Sequence, residues 1–354
     1  MNTDNIFGKR LTSARKMAGL SLQALADKLG NVITKQSLNK YEQGIMKPDS
    51  SILIALANIL NVSVDFFFYE PLENLTLDNV RFRKFSTKIN KTQSCSIEEK
   101  AKEAIARRLR IFNLLGNKNE VAQFNFGEVT SSNVEEAAMS FRLQWELGND
   151  PINDVITMLE DHGYWIIEIE APEGFDGFHT RILNYEIIVL RKIASNEDQV
   201  RRRMSALHEF AHSVLRFGKE ISEKEEEKLC TAFASAVLYP YSLVLKEMNA
   251  GKFHFYTQEL YLLKEKWGIS IKAIIYRAYS VGILKDFVFK KMMISYQTKF
   301  KLGEKKVFPS KEEPTLFAKM IFNAIGMGVL SLTEAAHLLD ISIDEFRNQI
   351  DSVA

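Results

Sequence analysis

Along the first seventy positions, apolar residues recur at helical spacing and are cut into short runs by glycines. Ile6, Leu11 and Ala14 open an amphipathic helix that stops at Gly19. Ser21 caps a second helix, Leu22 to Leu29, ended by Gly30, and Thr34 caps a third, Lys35 to Gln43, ended by Gly44. Pro48 and Asp49-Ser50 precede a fourth, Ser51 to Leu60, and a fifth short turn follows around Val64-Asp65-Phe66-Phe67. Five short capped helices predict a compact all-α domain over residues 1–70. The short turn between the second and third has helix-turn-helix spacing. The third helix turns Leu38 and Tyr41 inward and carries Lys35, Gln36, Ser37, Asn39 and Lys40 on its polar positions. Gln and Asn can pair with adenine edges, and Lys with guanine or phosphate, so these five are candidate DNA contacts. The plainer alternative is a structural bundle with a solvated face.

Residues 71–149 read as a basic linker followed by a helical connector. Positions 81 to 91 hold Arg81, Arg83, Lys84, Lys88 and Lys91 and no acid, interleaved with Phe82 and Phe85. Such a stretch can track DNA backbone or serve as a solvated linker. Ser94 to Leu115 reads as a long helix, and Val134 to Leu147 as another, with Ala137, Phe141 and Trp145 at core spacing. Pro151 to Gly163 follows as a helix with one apolar stripe. The β-rich runs Tyr164 to Ile169 and Glu186 to Leu190 flank Asp176-Gly177 and predict a small sheet. Further helices are expected over Ile271 to Val281, Thr315 to Gly328, Ser331 to Leu339 and Asp344 to Ile350. Leu332-Thr333-Glu334-Ala335-Ala336 looks like a second helix-turn-helix. Its would-be reading helix is acidic at Asp344 and Glu345, which favours packing or dimerisation over DNA.

The chemistry concentrates at Leu207-His208-Glu209-Phe210-Ala211-His212, an H-E-x-x-H inside an apolar run. In a helix His208 and His212 share one face, a turn apart. Two imidazoles so placed can hold one Zn²⁺, with Glu209 as general base on an activated water. The chain has only 6 His, and about one chain in a hundred so poor in His would carry this pattern by chance. A catalytic zinc needs a third protein ligand. Downstream, the acid-rich stretch Glu225-Glu226-Glu227 enters an apolar helix stopped by Pro240. Acids there suit the helix dipole, which accounts for Glu223, Glu225 and Glu226, while one carboxylate on the inner face would complete a His₂Glu set.

Composition narrows the class. At 354 residues with 46% hydrophobic and 26% charged positions, the chain is an ordinary globular mixture, long enough for two or three domains. The net charge of +1 gives no overall bias. Cys95 and Cys230 are the only cysteines, which argues against a disulfide framework and for a reducing compartment. Neither a signal peptide nor a membrane span is expected, so the reading is cytoplasmic.

Two resemblances then enter. Leu20-Ser21, Leu25-Ala26, Leu29-Gly30, Lys35 to Gly44, Pro48 and Leu56-Ala57 resemble the phage-repressor (Cro/C1, or XRE) DNA-binding domain over residues 6 to 68. Leu22 stands where that family often has a glutamine, and the turn Asn31-Val32-Ile33 is slightly long. Arg202 to Leu215 resembles the ImmA/IrrE zinc metallopeptidases, and Phe233-Ala234…Val237-Leu238…Pro240 resembles their second signature. Asp150-Pro151-Ile152, Asp176-Gly177 and Trp267-Gly268-Ile269-Ser270…Tyr276-Arg277-Ala278 are similar too. In that family a glutamate three residues before a small residue ligates zinc. Cys230 takes the small position, so the resemblance implies Glu227 as the ligand. Ala211 replaces a usual Gly, and Thr231 a usual Asn or Asp. Cys230 reads as a small core residue. His162, His179, His254 and His337 match no ligand spacing, though His179 beside Asp176-Gly177 could line the cleft.

The resulting expectation is a predominantly α, α+β chain. It has a helix-turn-helix domain (1–70), a connector (71–149), a zincin-like metallopeptidase domain with a small sheet (150–295) and a C-terminal helical segment (296–354). The expected ligands are His208, His212 and Glu227 for Zn²⁺, with Glu209 catalytic. The expected partners are operator DNA and a protein substrate, by resemblance a helix-turn-helix repressor, with the chain a homodimer. Self-cleavage in the 70–130 region is a weaker variant. The rival is a non-proteolytic repressor or antitoxin whose peptidase-like domain only senses metal or ligand.

Overall fold

Polar caps set the ends of the N-terminal helices. In the computed structural model, residues 3–70, 75, 77, 89–116, 121–194, 199–248, 255–301, 303–304 and 308–351 are described. Helices α1 (Thr3–Met17), α2 (Leu22–Lys28), α3 (Lys35–Glu42) and α4 (Ser50–Leu60) precede a 3-10 turn, Val64–Phe68. The side chains of Ser21, Thr34 and Asp49 accept from the backbone N–H of Ala24, Ser37 and Ile52, satisfying donors each helix leaves unpaired. Leu11, Leu25, Leu38, Leu56 and Phe67 close the core. The sequence reading of this bundle holds, the fifth element being a 3-10 turn.

The long helix α5 (Lys91–Leu115) begins one turn earlier than its apolar periodicity predicts. Asn90 and Gln93 form a reciprocal capping box that adds that turn. Of the basic stretch, residues 81–88 lie outside the described residues, and Lys91 opens α5. Helix α1 lies on α5. Arg10 donates to both Glu103 oxygens at 2.7 and 3.1 Å and to the Phe66 carbonyl at 2.9 Å, with its guanidinium 3.6 Å above the Phe66 ring. Ser13 donates to Glu99 at 2.8 Å.

Next come α6 (Val134–Gln144), α7 (Val155–Asp161), β1 (Trp165–Ile169), β2 (Gly177–Ile182) and β3 (Tyr185–Arg191). Then follow α8 (Val200–Val214), α9 (Glu223–Leu238), α10 (Tyr241–Met248), α11 (Thr257–Trp267), α12 (Ile271–Ser280), α13 (Asp286–Lys299), α14 (Leu316–Gly326), α15 (Leu332–Leu339) and α16 (Ile343–Asp351). The sheet order is β1-β3-β2, with β1 parallel and β2 antiparallel to β3. Strand β2 is absent from the sequence reading because its inward position 180 is a threonine and it opens on Gly177, which leaves Phe178 and Ile182 as its only large apolar residues. Helix α13 is also absent from the sequence reading: Val288, Phe289, Met292, Met293 and Tyr296 pack on the core, but Phe287 and Ile294 are exposed, so its apolar residues are not confined to one face.

The sheet separates two cores. Ile166, Ile188 and Leu190 face a core with Phe141, Trp145, Leu207, Phe210 and Phe233. Trp165, Ile167, Ile187, Val189 and Phe178 face a second core with Ile105 and Ile111 of α5, Ile321 of α14 and Phe346 of α16. The C-terminal helices also meet α5 through polar contacts, Arg107–Asp340 at 3.4 Å and Arg110–Glu334 at 3.3 Å. Among the described residues, no single helix is long and apolar enough to cross a membrane.

One buried pair joins distant segments. Arg203 of α8 donates to Glu312, and both side chains are fully buried. Arg203 also donates to the carbonyls of Ile152 at 2.6 Å and Gly268 at 3.2 Å. The other Glu312 oxygen accepts from the N–H of Val155 at 2.8 Å and Ile156 at 3.0 Å, the start of α7. At the far end of α7, Glu160 caps α14 through the N–H of Thr315 at 2.8 Å and Leu316 at 2.9 Å. Gly268 sits so close that a Cβ there would fall 2.6 Å from Arg203 Nε. Breaking such a pair from one side leaves a buried charge uncompensated. Glu312→Gln is therefore expected to cost about 3–5 kcal/mol of folding stability. Chemical denaturation followed by circular dichroism checks this, and a loss below about 1 kcal/mol would contradict the burial.

Candidate metal centre

Three consecutive arginines hold the helix that carries the histidines. Arg201 pairs with Asp176 at 2.7 Å, Arg202 with Glu168 of β1, and Arg203 with Glu312. Successive helical positions diverge by about 100°, so the three reach three different segments. Downstream on α8, His208 is fully buried and His212 nearly so, with their Nε2 atoms 3.2 Å apart.

Helix α9 supplies the third group. Ser222 and Glu225 form a capping box, which sets the register of the following residues. Glu227 then places Oε2 3.2 Å from His208 Nε2 and Oε1 3.3 Å from His212 Nε2. Among the described residues, these three form the cluster able to hold a metal ion. Their donor set suits zinc. Ligand bonds of roughly 2.0–2.1 Å in a tetrahedron put neighbouring donors about 3.3 Å apart, close to the three separations here.

The outer imidazole nitrogens are also engaged. Thr231 Oγ1 donates to the Glu227 carbonyl at 2.9 Å, so it accepts from His208 Nδ1 at 3.1 Å. That tautomer leaves the His208 Nε2 lone pair toward the cluster. His212 Nδ1 faces Glu226 Oε1 at 3.4 Å and Cys230 Sγ at 3.5 Å. Burial works against charge on His212, but hydrogen bonding to Glu227 and the carboxylates of Glu209, Glu227 and Glu226 raise its pKa. Burial would raise Glu227, yet the two histidines hold it well below the ordinary carboxylate range.

Glu209 is buried at the start of β2, close enough to His212 to act on its charge. Gly177 makes room for it. A Cβ at 177 would lie 2.8 Å from the Val189 carbonyl and 3.3 Å from Glu209 Cγ. A cleft of about 1020 Å³ opens beside the cluster, with Glu227 and Thr231 in its wall.

The other predicted positions fall as follows. Lys35, Gln36, Asn39 and Lys40 are exposed along α3, while Ser37 is half-buried against the Thr34 cap at 3.1 Å. Ala211 and Cys230 are fully buried. His179 does not line the cleft. It joins Glu186 of β3 at 2.6 Å instead. His162 stacks on Trp145 and His337 on Tyr69, and His254 lies outside the described residues. Glu226 and Gly177 were not singled out for these roles. Glu226 sits one position before Glu227, and that adjacency to the expected ligand could have flagged it, since its carboxylate lies 3.4 Å from His212 Nδ1.

A helix-turn-helix family model matches residues 11–67, and an IrrE N-terminal-like domain model matches residues 159–279. The chain belongs to the helix-turn-helix regulators. Its XRE/Cro-type domain is fused to an IrrE/ImmA-like domain. It is 39% identical over 100 residues to YonR, an uncharacterized SPbeta prophage-derived HTH-type transcriptional regulator of Bacillus subtilis, covering 28% of this chain and 90% of that one. It is 35% identical over 92 residues to the HTH-type transcriptional regulator ImmR of the same organism, covering 26% and 65%. A third Bacillus subtilis regulator, YqaE, is 43% identical over 61 residues, covering 17% and 51%. The chain thus spans less than two thirds of the length of the last two. No solved structure matches.

Contacts that orient a ligating imidazole are worth 10- to 100-fold in metal affinity, roughly. Thr231→Val and Glu226→Ala are each expected to weaken zinc binding by about that factor, while Glu225→Ala leaves it within about threefold. Competition against a chromophoric chelator measures all three.

Proposed function

We propose that this regulator is a DNA-binding protein with a zinc-dependent endopeptidase domain. The carrying observation is the His208–His212–Glu227 triangle with Glu209 buried at its side. Zinc held there would polarise a peptide carbonyl and acidify a water. Glu209 takes the proton of the attacking water and returns it to the departing amine. Thr231 and Glu226 keep the two imidazoles in register. Among the described strands β2 is at the end of the sheet, beside β3, with the zinc-site helix α8 packed on its face.

The substrate we favour is a helix-turn-helix repressor, cut in the cytoplasm so that stress or mobile-element genes are released. The relatives are themselves named as helix-turn-helix regulators, and one of them, YonR, as prophage-derived. A homodimer would match a two-fold operator. The alternative, metal sensing without cleavage, gives no role to a carboxylate at position 209 beside the ligands.

Zinc content near one per chain is expected, lost in His208→Ala and His212→Ala and much reduced in Glu227→Ala. Glu209→Gln keeps the metal and abolishes cleavage of co-incubated repressors, since an amide cannot act as base. Full cleavage by that variant would overturn the mechanism. For the DNA half, Gln36→Ala and Asn39→Ala each weaken operator binding by about 1–3 kcal/mol, while Lys35→Ala weakens all sequences and flattens the salt dependence. Electrophoretic titrations at several salt concentrations separate the two effects.

A further inference from the structure

We infer that the cleft beside the metal centre selects an acidic substrate segment, with aspartate or glutamate flanking the scissile bond. This rests on the peptidase reading above. Among the cleft's lining residues the cations are Arg191, Arg201, Lys228, Lys272 and Arg277, and the acids Glu173, Asp176 and Glu227. Five cations thus face three carboxylates before any metal charge is added.

Two of the three carboxylates are committed, and Glu173 is exposed. Asp176 is taken by Arg201 at 2.7 Å, and Glu227 is turned to the two histidines. Arg277 is held from outside the cleft by Glu135 and by the Tyr239 carbonyl at 2.9 Å. Arg191 also has a partner, which leaves two of the five cations, both lysines, for an incoming chain. Lys228 directly follows the proposed ligand Glu227 and has Glu225 only as an electrostatic neighbour. Lys272 lies on the α12 wall, one turn from Tyr276; Glu304 accepts from its backbone N–H at 3.4 Å and is ion-paired to Lys264, and no ion pair involves the Lys272 ammonium among the described residues. Concave walls of low dielectric focus such a field on whatever enters. An acidic side chain on either side of the scissile carbonyl meets lysines; a basic one is repelled by them and by the bound cation.

The same field bears on where cleavage occurs. Positions 81 to 91 of this chain hold five basic residues and no acid, so that stretch is a poor occupant. Cleavage in trans is favoured over cleavage there.

The test uses the full-length Glu209→Gln chain loaded with zinc, which binds without cutting. Decapeptides of one apolar core, flanked by Glu, Gln or Lys and carrying a neutral fluorophore, are titrated by anisotropy. The Glu-flanked peptide is expected to bind at least about tenfold more tightly than the Lys-flanked one at low salt, with the gap closing at high salt. Lys272→Glu should narrow or reverse that order. Equal binding of the Glu and Lys peptides, an order unchanged by Lys272→Glu, or no binding of any peptide would overturn the inference. The wild-type chain is then given the same peptides. Binding without cleavage would sink the peptidase reading while leaving the selectivity standing.

Discussion

The guanidinium of Arg203 and the carboxylate of Glu312 are both withdrawn from solvent, and segments far apart in sequence end on them. Glu312 caps the start of α7, while Arg203 ties down the carbonyls of Ile152 and Gly268. Neither charge could stay in place without the other. A buried ion pair adds little net stability over an apolar substitute. Here it acts through geometry: five residues along the same helix lies His208. The buried pair thus helps fix the height and rotation of the histidine-bearing helix against the rest of the domain. Glu160 repeats the device one helix length away, where it caps α14.

Helix α9 shows how a run of like residues can be divided among unlike tasks. Glu225 turns back to the Ser222 cap, Glu226 faces the outer nitrogen of His212, and Glu227 faces both inner nitrogens. The dipole at a helix start favours all three carboxylates equally. The cap removes that degeneracy by fixing which residue points back along the helix. The arginines of α8 follow the same rule, each drawn to a different acid. The nitrogens and carboxylate oxygens that can hold a metal are also the atoms that take protons, so metal and proton compete for the same three groups.

Much of this was legible in the sequence where one signal sufficed. Glycine stops and polar caps delimit the N-terminal bundle, and the i, i+4 histidines need only a helix to meet. Strands β1 and β3 are apolar runs and were read as strands. What escaped had its signal split between partners. Strand β2 is recognisable only once Thr180 is known to face α5's side of the sheet and Gly177 to lie under Glu209. Arg202 and Arg203 read as charge, yet both are buried, because their partners Glu168 and Glu312 lie 34 positions before and 109 after. Sequence spacing cannot reveal pairs of that separation.

Helix α5 gives the two halves of the molecule a common wall. Its N-terminal half holds α1 through Arg10–Glu103 and Ser13–Glu99. Its buried residues Ile105 and Ile111 pack in the core that backs the sheet, whose opposite face meets α8. The exposed polar residues of α3 take no part in that contact and stay clear of the domain behind them. A helix is stiff along its axis, and its packed side chains move as discrete arrangements rather than by continuous deformation. Any shift of the helix-turn-helix domain that disturbed the Arg10–Glu103 pair would therefore reach the sheet before it reached the metal ligands, which hang from the sheet's far side. The shared helix links the two domains, and the sheet stands between that helix and the candidate metal cluster.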